Sequence, residues 1–378
     1  MRSVQSYLIK CGILIIITAL IFFFGLSPTL VQTYYSTGIY IYISATLRFV
    51  SSIFPFAIGD IIYALLIGYV IYKIYQFYQL IRKKQLQKSH RITVPLQVLN
   101  FGLLLYIIFK LVWGLNYSRP SISEELGIGN QKYNVKELLL LGNYFVNKTN
   151  TLKSNCLADG NEIHFSLKQL REQAVAAYAK MDKKNSVFYY PQPSVKSVLI
   201  PWVISKVGIE GYYAPLSAEA NINTDLPSFV KPYVTCHEIG HQLGIAYEDE
   251  ANLMGYLTAG NSNNIYFQYS ANYEMLRYIL LEIRMKSPDD YKAIRSKISE
   301  PVLADFKAEK EFWRKYNGQM FGYMDAAFDR FLKLNNQKKG IDSYQDIVIW
   351  LWNIHKAEIS REVSGPKSED IVRISPQI

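Results

Sequence analysis

The sequence predicts a mainly α-helical protein, with three N-terminal transmembrane helices followed by a helix-rich domain that contains a small region of strands. Two observations predict the helices: long uncharged apolar runs are confined to the first third of the 378 residues, and apolar residues recur at helical spacing through most of the remainder. A third observation predicts the strands, because a central segment is rich in Val, Ile and Tyr, with Gly and Pro between them.

Charge is distributed unevenly along the chain. Residues 1–119 hold eleven Lys and Arg residues and a single acid, Asp60, which together account for the entire formal net charge of +10. Residues 120–378 are therefore formally neutral. Because basic residues beside apolar runs are typical of membrane proteins, in which they set topology, we expect a lipid bilayer as a partner and no nucleic acid.

Three segments are long and apolar enough to cross a bilayer as helices, at about residues 8–31, 57–78 and 95–115. Residues 81–91 follow the second segment, carry five Lys and Arg residues and are predicted to be cytoplasmic. The sequence thus predicts a multi-pass protein of the cell membrane. Residues 1–119 would form its membrane domain and residues 120–363 an extracytoplasmic domain, followed by a polar tail at 364–378.

Several alternatives concern this topology. The first span could be a cleavable signal peptide, but no small-x-small cleavage site follows it. Residues 39–56 are apolar but contain Arg48 and Pro55, so we expect them to lie in the membrane interface or to re-enter. A fourth span there would instead move the C-terminal domain to the cytoplasm. Asp60 and Lys110, near the ends of predicted spans, are expected to reach the lipid headgroups.

The C-terminal domain shows mostly helical patterns. Amphipathic stretches predict helices at residues 134–148, 165–181, 270–286, 290–315, 320–335 and 343–357. Between them, residues 194–225 predict a few short strands. The three cysteines do not have the spacing of a disulfide framework, and a bridge between Cys156 and Cys236 is left open.

The clearest chemical signal is the segment CHEIGHQLG. His237, Glu238 and His241 form HExxH, in which histidines four residues apart share one face of a helix and can offer two imidazole nitrogens to one Zn²⁺. Glu238 is offset by one position, so it can act as a general base on water instead of binding the metal. Pro232 in the first turn and Gly244 after the last turn predict that the segment is a helix.

A catalytic zinc site needs a third protein ligand, and two acids, Glu248 and Glu250, follow in the first turn of a second predicted helix. Glutamate-type zinc peptidases commonly take this ligand from ExxA followed by Asp or Asn, and Glu248, Ala251 and Asn252 match that pattern. We therefore predict Glu248 as the third ligand and Asn252 as a residue that orients a ligating histidine, with Glu250 as the alternative ligand.

The chain resembles an uncharacterised bacterial family of membrane-anchored HExxH zinc-metallopeptidase-like proteins, which is described only as a domain of unknown function. The resemblance is carried by the three N-terminal spans and by the segments GYYAPLSAEANIN, LPSFV, HEIGHQLG, EDEAN and GIDSY, and it extends over almost the whole chain. It implies a zincin-like metallopeptidase domain that binds zinc, but it brings no substrate.

A zinc peptidase also needs a donor to the oxyanion that forms from the substrate carbonyl, and often an extended strand that holds the substrate backbone. The segment GYYAPLSAEANIN, upstream of the HExxH helix, is the candidate for both. Tyr212 and Tyr213 are candidate oxyanion donors, and Glu219 and Asn221 are candidate contacts for a substrate terminus. Packing roles are the alternative for each of them, since the chain has thirty tyrosines.

The sequence therefore predicts a membrane-anchored zinc metallopeptidase, in which Glu238 takes a proton from zinc-activated water for attack on a peptide or protein substrate. One alternative is a zinc-stabilised envelope scaffold or binding protein without catalysis. Another is a transporter or sensor, which the single acid among the three predicted spans disfavours.

Reporter fusions test the predicted topology. A reporter placed after residue 87 should be active in the cytoplasm, because the basic segment holds that loop inside, and one placed after residue 130 should be active outside. Alkaline phosphatase and a fluorescent protein, which are active on opposite sides of the membrane, provide the measurement. Activity outside for the reporter after residue 87, together with activity in the cytoplasm for the one after residue 130, would indicate a fourth span at residues 39–56.

Overall fold

The computed structural model describes residues 2–160, 164–316 and 346–364, which form a mainly helical chain with one small sheet. The N-terminal third contains α1 Arg2–Gly25, α2 Pro28–Leu30, a π-helical stretch Val31–Ile39, α3 Tyr40–Ser52, α4 Ile58–Arg82, α5 His90–Val112 and a 3-10 turn Gly114–Ser118. The C-terminal domain contains α6 Ile122–Glu125, α7 Val135–Ala158, α8 Leu167–Asp182, a 3-10 turn Ser186–Phe188, β1 Val195–Ser197, α9 Pro201–Lys206, β2 Gly211–Ala214, β3 Glu219–Ile222, α10 Lys231–Gln242, α11 Glu248–Gly260, α12 Ile265–Lys286, α13 Pro288–Arg295, α14 Glu300–Tyr316 and α15 Asp346–Ser364.

Three of the described helices are long and apolar enough to cross a membrane: Val4–Gly25, Ile58–Arg82 and His90–Val112. The second and third overlap the predicted spans closely. The first ends at Gly25 instead of near residue 31, because Ser27 caps a new helix whose first residue is Pro28.

The three long helices place their basic ends on one side. α1 and α5 run side by side in the same direction: Asn100 Nδ2 in the middle of α5 donates to Tyr7 O at 3.2 Å, and Gly25 at the end of α1 lies beside Leu115, which follows α5. α4 runs the other way and begins beside the C-terminal domain, where Ile58 N donates to Glu219 Oε1 at 3.1 Å. The N-terminus and the basic segment 82–91 therefore lie at the ends of the helices that are distant from the C-terminal domain.

Residues 39–56 pack against the C-terminal domain as α3, and within the described chain they do not form a fourth candidate span. Tyr40, Ser44, Arg48 and Ser51, which share one helical face, are buried. Tyr42 on the opposite face is exposed. The helix is amphipathic in an unusual sense, because its buried face is the more polar one.

The buried face of α3 caps the end of α10. The main-chain oxygen of Gln242 accepts three hydrogen bonds from it, donated by Tyr40 OH at 2.9 Å, Ser44 Oγ at 2.9 Å and Arg48 Nη1 at 3.0 Å. Carbonyls in the last turn of a helix have no partner within the helix, and the negative end of the helix dipole favours a cation there. α3 therefore supplies both the donors and the charge that this helix end requires.

The end of α5 contacts the same helix end. Trp113 Nε1 donates to His241 O at 3.0 Å, and Arg119 Nη1 donates to Gly244 O at 3.4 Å. These contacts cross the domain boundary that the sequence predicts after residue 119. The N-terminal third and the C-terminal domain thus share one helix terminus.

Two charged residues near the ends of the spans contact protein groups instead of extending to lipid headgroups as expected. Asp60 Oδ2 accepts a hydrogen bond from Leu199 N at 2.8 Å, and Asp60 Oδ1 accepts one from the hydroxyl of Tyr212. Lys110 is buried, and its Nζ donates to Gly114 O at 3.1 Å. Both polar groups are satisfied within the chain.

The sheet lies in the region that the sequence predicts to be extended. Its strand order is β1-β3-β2, with β1 parallel and β2 antiparallel to β3. Ala220 and Ile222 of β3 belong to the main hydrophobic core, together with residues of α7, α8, α10, α11 and α12. In the described chain β2 pairs on one side only, so it is an edge strand beside α10.

The predicted helices of the C-terminal domain overlap helices of the structure wherever residues are described. The stretch predicted at 290–315 is two helices, α13 and α14, separated by a short turn. The stretch predicted at 320–335 and most of the tail predicted at 364–378 lie outside the described residues. Cys156 and Cys236 are both buried and free, so the disulfide bridge is absent.

Arg48 tests the coupling between the two parts of the chain. Arg48→Met should lower the free energy of unfolding by about 2–4 kcal/mol, because it removes the hydrogen bonds that the guanidinium donates to three main-chain oxygens. These are the oxygens of Pro191, Gln192 and Gln242. Thermal unfolding of the full-length protein in detergent measures the effect. Arg82→Met is the matched control, since Arg82 is exposed at the far end of α4. Equal melting temperatures for the two variants would contradict the capping role of Arg48.

Candidate metal centre

α10 carries the HExxH residues and has the ends that the sequence predicts. Pro232 lies in its first turn, and Gly244 follows it with a positive φ of 83°. At this end Ile245 N donates to Gly240 O at 3.2 Å and Gly244 N donates to His241 O at 3.0 Å, which is a Schellman motif. Gly244 is required there, because a Cβ would also lie 2.8 Å from the ring of Tyr40.

His237, His241 and Glu248 form a group that could hold a metal ion. One ligand atom from each residue lies within 4.8 Å of the others. His237 Nε2 is 3.4 Å from Glu248 Oε2, and His241 Nε2 is 3.6 Å from Glu248 Oε1. α11 begins at Glu248, as predicted, so the Schellman turn between α10 and α11 directs the carboxylate back towards the two imidazoles.

Neighbouring groups orient one of the two histidines. His241 Nδ1 lies 2.6 Å from Ile245 O, so it carries the proton and leaves Nε2 free for a metal. His237 Nδ1 is buried and has no hydrogen-bond partner in the described parts of the chain. Asn252 was predicted to orient a histidine, but its Oδ1 accepts from Tyr233 OH at 2.8 Å and its Nδ2 is unpaired among the described residues.

The structure distinguishes the two acids that were candidates for the third ligand. Glu248 faces the histidines, whereas Glu250 Oε1 accepts a hydrogen bond from Ile122 N at 3.0 Å. Burial raises the pKa of Glu250, and the positive charge of Arg119 partly offsets this shift. Glu250 therefore fixes α6 to α11 and lies outside the metal-binding group.

Glu238 lies beside this group without belonging to it. Its side chain is buried, and its Oε2 finds no hydrogen-bond partner in the described residues. Burial raises the pKa of Glu238 to about 7. β2 approaches it closely, since a Cβ on Gly211 would lie 2.8 Å from Glu238 Oε1. A buried carboxylate thus stands next to the metal-binding group with one oxygen available.

The side chains of His241 and Glu248 shift each other's pKa. Burial alone would lower the pKa of His241, but the Glu248 carboxylate outweighs it and raises that pKa to about 9. Burial would raise the pKa of Glu248, but the two imidazoles hold it well below its usual range. Two imidazole nitrogens and one carboxylate are the donor set of many catalytic transition-metal sites, and three ligands leave a coordination position open. The residues fit such an ion.

The metal-binding group opens into a cavity of about 1100 Å³. The cavity extends from Trp113 at the end of α5 to Tyr291 in α13, and its walls include β2, α10 and α12. Glu238 and the three grouped residues share one part of this wall. A cavity of this size accommodates a peptide segment or a drug-sized molecule.

Of the four residues predicted to contact substrate, two line the cavity and two are fully buried. Tyr213 lines the cavity and packs against Trp113 with ring centroids 5.2 Å apart. Tyr212 also lines it, but its hydroxyl donates to Asp60. Glu219 is fully buried and binds the first backbone amides of α4. Asn221 is fully buried too, and its amide is unpaired within the described chain.

An ionic cluster that the sequence patterns do not reveal lies at the same cavity. Arg277 lies 2.8 Å from the carboxylates of both Glu274 and Glu309. Glu210, which precedes β2, lines the cavity as well, and burial together with the charge of Glu274 raises its pKa to about 8. Only the Glu274–Arg277 pair, three residues apart on α12, is visible in the sequence, and such pairs are common on helix surfaces.

Comparison with known proteins gives a family. A family model described as "Protein of unknown function (DUF3810)" matches residues 35–352. The chain belongs to the DUF3810 family. The match includes α4, α5 and the candidate metal centre, so the DUF3810 model covers two of the three long apolar helices together with most of the C-terminal domain. No curated protein and no solved structure matches this DUF3810 chain.

Metal analysis tests the site directly. Purified full-length protein in detergent should contain about one transition-metal ion per chain by elemental analysis. His241→Ala and Glu248→Gln should both lose it, because each removes a ligand. Glu250→Gln is the matched control and should retain it. Full metal content in His241→Ala would refute the site, and metal loss in Glu250→Gln alone would assign the third ligand to Glu250.

Proposed function

We propose that this protein is a membrane-anchored zinc-dependent peptidase with a zincin-like domain. The observation that supports it most strongly is the group His237, His241 and Glu248 at the wall of a large cavity, with the unpaired carboxylate oxygen of Glu238 beside it. Zincins use this combination of three ligands and one free acid for hydrolysis.

The metal would be held by His237, His241 and Glu248. Zinc, when bound there, supplies Lewis acidity towards a peptide carbonyl and towards water. Zinc is favoured over other ions because imidazole and carboxylate ligands in a three-ligand site suit it, and it needs no redox partner. The hydrogen bond from His241 Nδ1 to Ile245 O keeps Nε2 directed at the metal position.

Glu238 is the proposed general base. It takes a proton from the attacking water and then passes this proton to the nitrogen of the leaving amine. Its Oε2 has no partner among the described residues, so the oxygen is available for this transfer. Gly211 helps to position it, because the absence of a side chain lets β2 lie against the carboxylate.

β2 is the proposed binding element for the substrate backbone. One edge of β2 pairs with β3, while Gly211, Tyr212 and Tyr213 line the cavity. An extended peptide can add to such an edge through main-chain hydrogen bonds, and side-chain pockets then give specificity. Tyr213 is the stronger candidate for an oxyanion donor, because its hydroxyl makes only a long contact of 3.5 Å with the Tyr40 hydroxyl, whereas the Tyr212 hydroxyl donates to Asp60.

The C-terminal domain is proposed to lie outside the cytoplasm. The basic segment 82–91 and the N-terminus are at the ends of the three long helices opposite to this domain. Positive residues favour the cytoplasmic side. The proposed substrate is therefore a peptide or protein of the cell envelope.

The proposal is tested through Glu238. Glu238→Gln should retain the metal and the fold, since the change is nearly isosteric and removes no ligand, while activity should fall by about 10² or more. Cleavage of a mixed peptide library by the full-length protein, followed by mass spectrometry, measures activity. Glu250→Gln, equally buried but outside the cavity, is the matched control and should keep it.

The rival function is a zinc-stabilised scaffold. It predicts that neither the native protein nor any variant cleaves the library. It also predicts that cells with Glu238→Gln behave like cells with the native protein, whereas cells with His237→Ala or His241→Ala behave like cells that lack it. That pattern would contradict the peptidase function even with metal bound.

A further inference from the structure

Two neighbouring segments expose large apolar side chains at one edge of the C-terminal domain. In the turn between α3 and α4, Ile53 is 66% exposed, and Phe54 and Phe56 are also exposed. Around α9, Ile200 is 50% and Trp202 is 53% exposed. We call residues 53–56 and 199–203 together the apolar lip. Contiguous apolar surface of this kind marks an interaction site.

The two parts of the apolar lip are held together by polar contacts beneath them. Lys196 Nζ donates to Phe54 O, and the hydroxyls of Ser51 and Ser194 are 2.7 Å apart. Leu199 N donates to Asp60 in the first turn of α4. The apolar lip therefore lies at the level where α4 begins.

The position of α4 shows what covers the apolar lip. α4 has 25 residues, which rise about 37 Å, and it is long and apolar enough to cross the hydrocarbon core of a bilayer, about 30 Å thick. Its polar residues Lys73, Gln76 and Gln79 lie in its second half, and it ends in a basic segment. The hydrocarbon core therefore surrounds the more apolar half of α4, which begins at Ile58, and this is the level at which the apolar lip lies.

We propose that the apolar lip is inserted into the leaflet nearest the C-terminal domain, in the same bilayer that α4 crosses. Trp202 with Lys206, whose Nζ lies 4.7 Å from the centre of the indole ring, is a pair suited to the boundary between headgroups and acyl chains. The residues that follow α9, Val207 to Ile209, line the cavity. Insertion of the apolar lip therefore holds one wall of the cavity at the membrane surface.

The contact between the apolar lip and the lipid does not depend on metal or on hydrolysis. It is therefore tested by measuring how deeply residues of the apolar lip lie in the bilayer. Trp202→Cys in the full-length protein is labelled with a polarity-sensitive fluorophore and reconstituted into phosphatidylcholine–phosphatidylglycerol vesicles that contain lipids brominated on their acyl chains. The three native cysteines are buried, and the unsubstituted protein gives the background labelling. Leu65→Cys, exposed in the first half of α4, is the positive control. Leu157→Cys, on α7 of the C-terminal domain and exposed to about the same extent as Trp202, is the negative control.

The label at residue 202 should be quenched by the brominated lipids to an extent comparable with the label at residue 65, and its emission should be shifted to the blue relative to that at residue 157. Emission and quenching equal to those at residue 157 would overturn the proposal. Ile200→Cys is the second variant, with the same expected and contrary results, and it is used if Trp202→Cys does not give folded protein.

Discussion

The end of α10 is the point on which the rest of the structure depends. Its last carbonyl oxygens, on His241 and Gln242, accept hydrogen bonds from side chains of the N-terminal third, and His241 O also accepts one from Gly244 N in the Schellman turn. The same turn carries His241, Gly244 and Ile245, so the capping contacts also hold the segment that orients a proposed ligand and leads to Glu248. The geometry of the candidate metal centre thus depends on contacts with the N-terminal third of the chain.

The local part of this arrangement could be predicted from the sequence. His237, His241 and Glu248 lie on two consecutive helices joined by a short turn, so spacing and the glycine at 244 were sufficient to place them. The helical content and the three apolar spans were predicted for the same reason, since they depend on periodicity and length within one segment. The largest error is at the end of the first span, which stops at Gly25 because a new helix begins at Pro28.

Contacts between distant segments could not be predicted. Glu219 and Tyr212 have the residue types expected of substrate contacts, but the first turn of α4, about 150 residues earlier in the chain, binds both of them. Residues 39–56 were ambiguous because Arg48 looks incompatible with an apolar segment. Its partners are main-chain oxygens of residues far along the chain, which no local pattern reveals.

At the boundary between the two parts of the chain, charged side chains bind main-chain groups at helix ends more often than they pair with side chains of opposite charge. Arg48 lies at the negative end of α10, and no carboxylate pairs with it in the described residues. Glu219 and Asp60 lie at the positive end of α4, where the Glu219 carboxylate binds Ile58 N and Gly59 N. Arg48 belongs to the N-terminal third and binds the end of a helix in the C-terminal domain. Glu219 belongs to the C-terminal domain and binds the start of a helix in the N-terminal third. Because main-chain groups at a helix end have a fixed direction, these contacts fix the orientation of the C-terminal domain, and of its cavity, relative to the three long apolar helices.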